Sequence, residues 1–290
     1  FRLVFQHVAA ADREARVTNA VRMVESGELD RAGILAAHLG SQLLGVLVCL
    51  PVPGASGLVW PPQVQAGPWQ AAVEDELVQH AASWLQSRGA KLAQSLLNPA
   101  DAHLARPLER NGFRHITSLW YLRCKLDAAD QDTAGESSLE FRTFRDTDQR
   151  LFEQTLLRSY EGTLDCPEVN DVRTLDEILT GHRAQGSYSP DRWWLALHGD
   201  EPVGVLLLAE VPEWNSWDVS YVGVVPDARR RGFGRELMTK AFREARRAKA
   251  GQLTLSIDAR NQPAWQLYRA LGFQQFEKRE VFLAIWRRAG

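Results

Sequence analysis

The sequence predicts an α+β protein of two similar domains, each a mixed central sheet flanked by helices, and three observations carry that prediction. First, residues 127–138 read DAADQDTAGESS, a polar and acidic run without apolar periodicity, which marks a linker between residues 1–126 and 139–290. Second, the halves end alike. The first closes on LLNPADAHLARPLERNGFRHITSLWYLRCKL and the second on SIDARNQPAWQLYRALGFQQFEKREVFLAIW, aligning Gly112-Phe113 with Gly272-Phe273. Similar tails at so large a spacing indicate a duplicated unit. Third, short alternating runs interleave with helical-period runs through the second half, the pattern of helices packed on a sheet.

The second half reads element by element. Residues 139–145 alternate as a strand. Asp146 or Thr147 can cap a helix reaching about Tyr160, and residues 172–184 form a second helix. Residues 193–197 and 203–211 make a hairpin around the His198–Pro202 turn. A strand over 219–225 follows. Residues 232–249 form a helix whose Leu237, Met238, Ala241, Phe242 and Ala245 share one face. A strand over 253–257, a helix over 263–271 and two further strands in the tail complete the order.

Composition narrows the function class. The 290 residues are 45% hydrophobic with net charge −2, which suits a globular protein and gives no global field for nucleic acid or acidic membrane. Three widely spaced cysteines (Cys49, Cys124 and Cys166) form neither a disulfide framework nor a zinc pattern. Apolar runs near 43–52 and 203–211 are too short to span a bilayer, and no signal-peptide pattern is visible. The expectation is a cytoplasmic protein.

The segment YVGVVPDARRRGFGRELM, residues 221–238, carries the chemistry. A strand stops at Pro226, and a basic, glycine-containing turn then opens an amphipathic helix. The first amides of a helix lack internal partners and sit at the positive end of its dipole, so an anion fits there. Gly232 and Gly234 let backbone approach a phosphate closely, and Arg229, Arg230, Arg231 and Arg235 add charge. Asn261 to Phe273 is a second motif. Asn261 caps a helix, Pro263 suits its first turn, and Tyr268 stands nearly two turns beyond Asn261 on a neighbouring face.

These two segments resemble the GCN5-related N-acetyltransferases, whose loop [RQ]-x-x-G-x-[GA] matches Arg229, Gly232 and Gly234, and whose N-x-x-A-x-x-L-Y-x-x-x-G-F segment matches Asn261–Phe273. The resemblance covers the second half and, more faintly, the first. It implies that the loop, with Phe233 and Arg235, holds the pyrophosphate of acetyl-coenzyme A. It also implies that Val222, Gly223 and Val224 meet the pantetheine arm and thioester, with the Val224 N–H as oxyanion donor. Tyr268 is then the acid that protonates the leaving thiolate. The strand from Asp218 to Pro226 resembles that of mycothiol synthases, tandem members of the family in which a glutamate occupies the place of Asp218. Asp218 is therefore the candidate base, directly or through a water, with Glu210 and Glu213 as competitors.

The first half lacks these tools. Residues 61–68, PPQVQAGP, carry no basic residue, and two consecutive prolines remove amide donors. Aligned on the Gly-Phe pairs, Leu108 stands where Tyr268 stands and Asp101 where Asn261 does. A scaffold role is expected. His182 and His198 read as surface residues, with the cleft wall as the alternative; tryptophans are more often core than ligand cage, but Trp193, Trp194, Trp214 and Trp217 flank the strands bordering the acceptor cleft. The resulting reading is an N-acetyltransferase moving acetyl from acetyl-CoA to a primary amine by direct attack in a ternary complex. Alternatives are a non-catalytic coenzyme-binding regulatory module and an aminoacyl-tRNA-dependent transferase. Expected partners are a small-molecule or peptide amine, with no nucleic acid, membrane or metal, in a monomer or homodimer.

Overall fold

A computed structural model describes residues 1–126, 137–145 and 149–286. Most of the linker, and the two cap candidates Asp146 and Thr147, lie outside the described residues. By contact the chain forms two compact units: Phe1–Thr117 with Arg279–Gly290, and Ser118–Lys278.

The first unit runs α1 (Ala10–Glu25), β1 (Ile34–Leu39), β2 (Gln42–Val52), β3 (Ser56–Val59), β4 (Gln63–Val64), α2 (Gln70–Ser87), β5 (Leu92–Leu97) and α3 (Arg106–Arg110). It then enters β6 (Arg114–Lys125). Its sheet is completed from the far end of the chain, where Glu280–Ile285 pairs antiparallel with Leu97–Leu92. Leu47, Val78, Ala81, Leu85, Leu108, Phe113 and Phe282 fill the core between α2 and the sheet.

The second unit takes the rest of β6, then β7 (Glu140–Thr143), α4 (Gln149–Tyr160), α5 (Leu175–Arg183), β8 (Trp193–His198), β9 (Glu201–Val211) and β10 (Ser216–Val224). It ends with α6 (Phe233–Arg247), β11 (Gln252–Asp258), α7 (Gln262–Ala270) and the start of β12 (Gln274–Ile285). Its sheet order is β6-β11-β10-β9-β8-β7. Both faces are covered, which is why β8 and β9 are near-continuous apolar runs rather than alternating ones. The predicted stripe of α6 is buried on one face with Leu253 and Ile257, and Phe152 and Leu156 of α4 pack on the other with Trp193 and Leu207. The tail differs from expectation. One strand, β12, replaces two, because Gln274–Ile285 holds no Gly, Pro, Asn or Asp to turn the chain.

Two details position the site. Parallel pairing of β10 with β11 ends at Asp218–Thr254, although the strands continue to Val224 and Asp258. A register shift between Val219 and Tyr221 adds a bulge at Ser220 against β9. The duplicated tails also match in geometry. Gly112 and Gly272 have φ of 90° and 88°. The Phe113 and Phe273 amides reach back to the carbonyls of Leu108 and Tyr268 at 3.1 and 3.0 Å. Both helices thus end in the same left-handed turn, and Leu108 and Tyr268 hold equivalent places.

A truncation tests this assembly. In the second unit Lys125–Leu119 pairs with Gln252–Asp258 and buries Leu122 completely. A fragment of residues 137–290 lacks that strand and should melt about 10 °C or more below one of residues 118–290. Equal melting points by circular dichroism would show that β6 contributes nothing to this sheet.

Candidate functional site

A cavity of about 720 Å³ in the second unit is walled by the end of β10, the turn into α6, α7 and the loop after α4. Val222, Gly223, Val224, Arg229, Arg230, Gly232, Phe233, Gly234, Arg235, Asn261 and Tyr268 line it. Asp218 and Arg231 do not line it. Arg231 lies over the Phe233 ring at 4.9 Å.

The start of α6 is built to receive an anion. Gly232 is the residue before the helix, with φ of 91°, and no side chain caps the exposed amides. Arg230 also has positive φ, 65°, a conformation that costs a residue with a Cβ and occurs beside functional turns. At Gly234 an added Cβ would reach 3.4 Å from Leu267 of α7, so a small residue keeps the two helices close. Asn261 caps α7 as predicted, its Oδ1 accepting from the Ala264 N–H at 3.3 Å.

The Val225 N–H donates to the Val203 carbonyl of β9 at 3.0 Å. By strand alternation the Val224 N–H points the other way, toward the side where β11 has parted. Gly223 has a reason of its own. A Cβ there would fall 2.5 Å from Ser159 Oγ and 2.6 Å from Tyr221 Oη, two atoms that hydrogen-bond at 2.8 Å.

Arg229 is turned away from the α6 amides. Its Nε donates to the Val224 carbonyl at 3.0 Å, and its Nη atoms donate to the carbonyls of Ser159, Glu161 and Gly162 at 3.1, 2.6 and 3.3 Å. The guanidinium therefore ties the strand end to the loop after α4. Arg230 and Arg235 line the cavity beside the α6 turn.

Tyr268 is 7% exposed and stacks edge-on with Phe273 at 5.7 Å. Burial, then the nearby Asp165 and Tyr221, push its phenol above the usual range, so it stays protonated. Asp218 is half-buried and accepts from Thr254 Oγ1 at 2.7 Å. Burial pushes its carboxyl up to about 6. Glu210 is paired with Arg192 at 2.7 Å.

Sequence reasoning missed the loop after α4, which contributes Gly162, Thr163, Leu164 and Asp165 to the cavity. Asp165 keeps an exposed face, yet the atoms around its carboxyl desolvate it enough to raise it to about 6. Tyr221, also missed, faces α4. Beside it Tyr160 Oη and His182 Nε2 are 2.9 Å apart, and burial pulls His182 down to about 4, leaving it neutral. His182 and His198 do not line the cavity, nor do the four tryptophans: Trp193, Trp194 and Trp217 belong to the core, and Trp214 is 71% exposed on the β9–β10 turn. Donor atoms of Asp165, Cys166 and Asp258 lie within 4.8 Å of one another. A cation there would compete with Arg260, already 2.7 Å from Asp258, and with a Cys166 thiol that burial keeps protonated.

The family model described as Acetyltransferase (GNAT) family matches residues 155–273, which include every residue lining this cavity. The second unit carries a GNAT acetyltransferase domain. A mycothiol acetyltransferase of Thermobifida fusca is 29% identical over 238 residues, 70% of this chain and 66% of that protein. One from Corynebacterium aurimucosum is 25% identical over 207 residues, 63% and 64% of the two lengths. The matched stretch thus spans just under two thirds of these relatives. In structure, a GCN5-related N-acetyltransferase from Sphaerobacter thermophilus superposes with TM-score 0.57 at 20% identity, over 85% of this chain and 78% of that one. A tandem GNAT protein from the clavulanic acid biosynthesis pathway gives 0.52 at 15% identity, over 92% and 88%. Both carry the GNAT fold, the second in tandem form. Among the described residues no helix is long and apolar enough to cross a membrane.

Proposed function

We propose that this chain transfers acetyl from acetyl-CoA to a primary amine by direct attack in a ternary complex. The observation that carries the reading is one cavity bordered both by the uncapped start of α6 and by the protonated phenol of Tyr268. The amides of Gly232 to Gly234, with Arg230 and Arg235, hold the pyrophosphate. The open edge of β10 at Val222–Val224 pairs with the pantetheine arm. The Val224 N–H faces the thioester oxygen and stabilises the charge that develops there during attack. As the tetrahedral intermediate collapses, Tyr268 gives its proton to the departing sulfur. A thiolate leaves more readily when a protonated group beside it gives up its proton as the carbon–sulfur bond breaks.

The coenzyme site belongs to the second unit alone. In the first unit Leu108 holds the place of Tyr268, and a cavity of about 370 Å³ is lined by Glu74 and Arg110, paired with each other at 2.9 Å. The likeness to mycothiol acetyltransferases makes the amine of the mycothiol precursor the first acceptor to try. The test is coenzyme A release from acetyl-CoA across a panel of that precursor, aminoglycosides, polyamines, peptide N-termini and lysine. One amine class should accelerate release well above hydrolysis. If a broad panel leaves release at the hydrolytic rate, the chain is not an amine acetyltransferase.

A further inference from the structure

The loop between α4 and α5 is pinned at two places. At its start Arg229 takes the carbonyls of Ser159, Glu161 and Gly162. Farther on, the completely buried Asp258 holds it from the end of β11. The Cys166 N–H donates to Asp258 Oδ2 at 3.0 Å, and the Asp258 N–H donates to Asp165 Oδ1 at 2.9 Å. Arg260 then closes on both carboxylate oxygens of Glu168, at 2.6 and 2.9 Å, while also binding Asp258. So held, Cys166 keeps a left-handed conformation, φ 44°.

Between the pins sits Asp165, the only carboxylate among the described residues lining the cavity. Its Oδ1 accepts from the Asp258 N–H, whereas its Oδ2 has no partner among the described residues. Among the described residues it forms no ion pair, because Arg260 is committed to Asp258 and Glu168. It lies close enough to Tyr268 and Tyr221 for its charge to raise both phenols. The cationic side chains on the same wall are Arg229, already bonded to carbonyls, and Arg230 and Arg235 at the α6 turn. An unpaired carboxylate held rigidly beside the acid is complementary to a cation, and an amine acceptor arrives as one.

We propose that Asp165 is the carboxylate that binds the acceptor's ammonium group and removes its proton before attack. The inference rests on the acetyl-transfer reading above. In this step an N–H bond of the ammonium breaks, the proton passes to Asp165 Oδ2, and the freed nitrogen lone pair forms the bond to the thioester carbon. The titratable groups that interact with Asp165 are Asp258, Arg260 and Cys166 around the loop, and Tyr160, Tyr221 and Tyr268. Desolvation of the carboxyl, raising it to about 6, leaves it ionised at neutral pH yet basic enough to accept a proton.

Equilibrium binding tests this without knowing the acceptor. S-(2-aminoethyl)-coenzyme A carries an ammonium group about where an attacking amine would stand, and S-propyl-coenzyme A is its neutral control. By calorimetry the full chain should favour the aminoethyl compound by about tenfold or more at pH 7.5. The preference should shrink as pH falls through about 6, where Asp165 takes up a proton. In Asp165→Asn, which keeps an acceptor for the Asp258 N–H, the preference should vanish while S-propyl-coenzyme A binds as before. Asp218→Asn should keep it. No preference in the unmodified chain, or one that survives Asp165→Asn, overturns the proposal; loss in Asp218→Asn alone transfers the role to Asp218. Failure of both thioethers to bind the unmodified chain would instead remove the acetyl-transfer reading on which the proposal stands.

Discussion

Replacing Tyr268 by Phe should lower turnover by roughly 10²–10⁴, the range for loss of a positioned acid, and leave the fold and coenzyme affinity intact. Among the described residues the hydroxyl has no hydrogen-bond partner to strand, and the edge-on contact with Phe273 remains. What is lost is the proton held beside the leaving sulfur. Burial keeps that proton on the phenol, with help from the charge of Asp165. The defect should shrink for an acyl donor with a more acidic thiol, because that thiolate leaves without assistance. Turnover of Tyr268→Phe should be measured under conditions where chemistry limits the rate. An undiminished rate would reduce Tyr268 to a packing residue, as Leu108 is at the matching place in the first unit.

How much of this was legible from residues alone follows from how local each cause is. The α6 turn was readable because its physics is confined to a few positions. Gly232 takes a positive φ, the helix start leaves amides free, and the apolar stripe from Leu237 to Ala245 fixes which side is buried. The end of α7 was readable for the same reason: Gly272 and Phe273 close a left-handed turn that Gly112 and Phe113 repeat.

Side-chain destinations were less legible. Arg229 reads as one more phosphate ligand because its neighbours are basic, but the carbonyls it binds lie on residues 159–162, joined to it only by tertiary folding. Asp165 stands in a stretch with no helical or strand period, and its environment is set by Asp258 and Arg260, far along the chain. Tryptophans read as core more often than as ligand wall, and Trp193 and Trp194 are core because β8 is covered on both faces. Asp218 occupies the strand position the sequence gives a base, yet a side chain's face depends on the bulge at Ser220, and bulges leave little trace in residue pattern.

The account's central claim is that one polyphosphate site exists and that it is the start of α6. Calorimetric titration of the full chain with acetyl-CoA, alongside Gly232→Glu and Gly232→Asn, tests it most directly. A Cβ at Gly232 meets no atom within 4 Å, so both substitutions start in open space. Both pay for positive φ, but Asn tolerates that conformation and brings no charge, whereas Glu places a carboxylate where the pyrophosphate must lie. The account predicts one acetyl-CoA per chain, largely retained in Gly232→Asn and abolished in Gly232→Glu. Two equivalent sites per chain, or an unchanged affinity in Gly232→Glu, would contradict it.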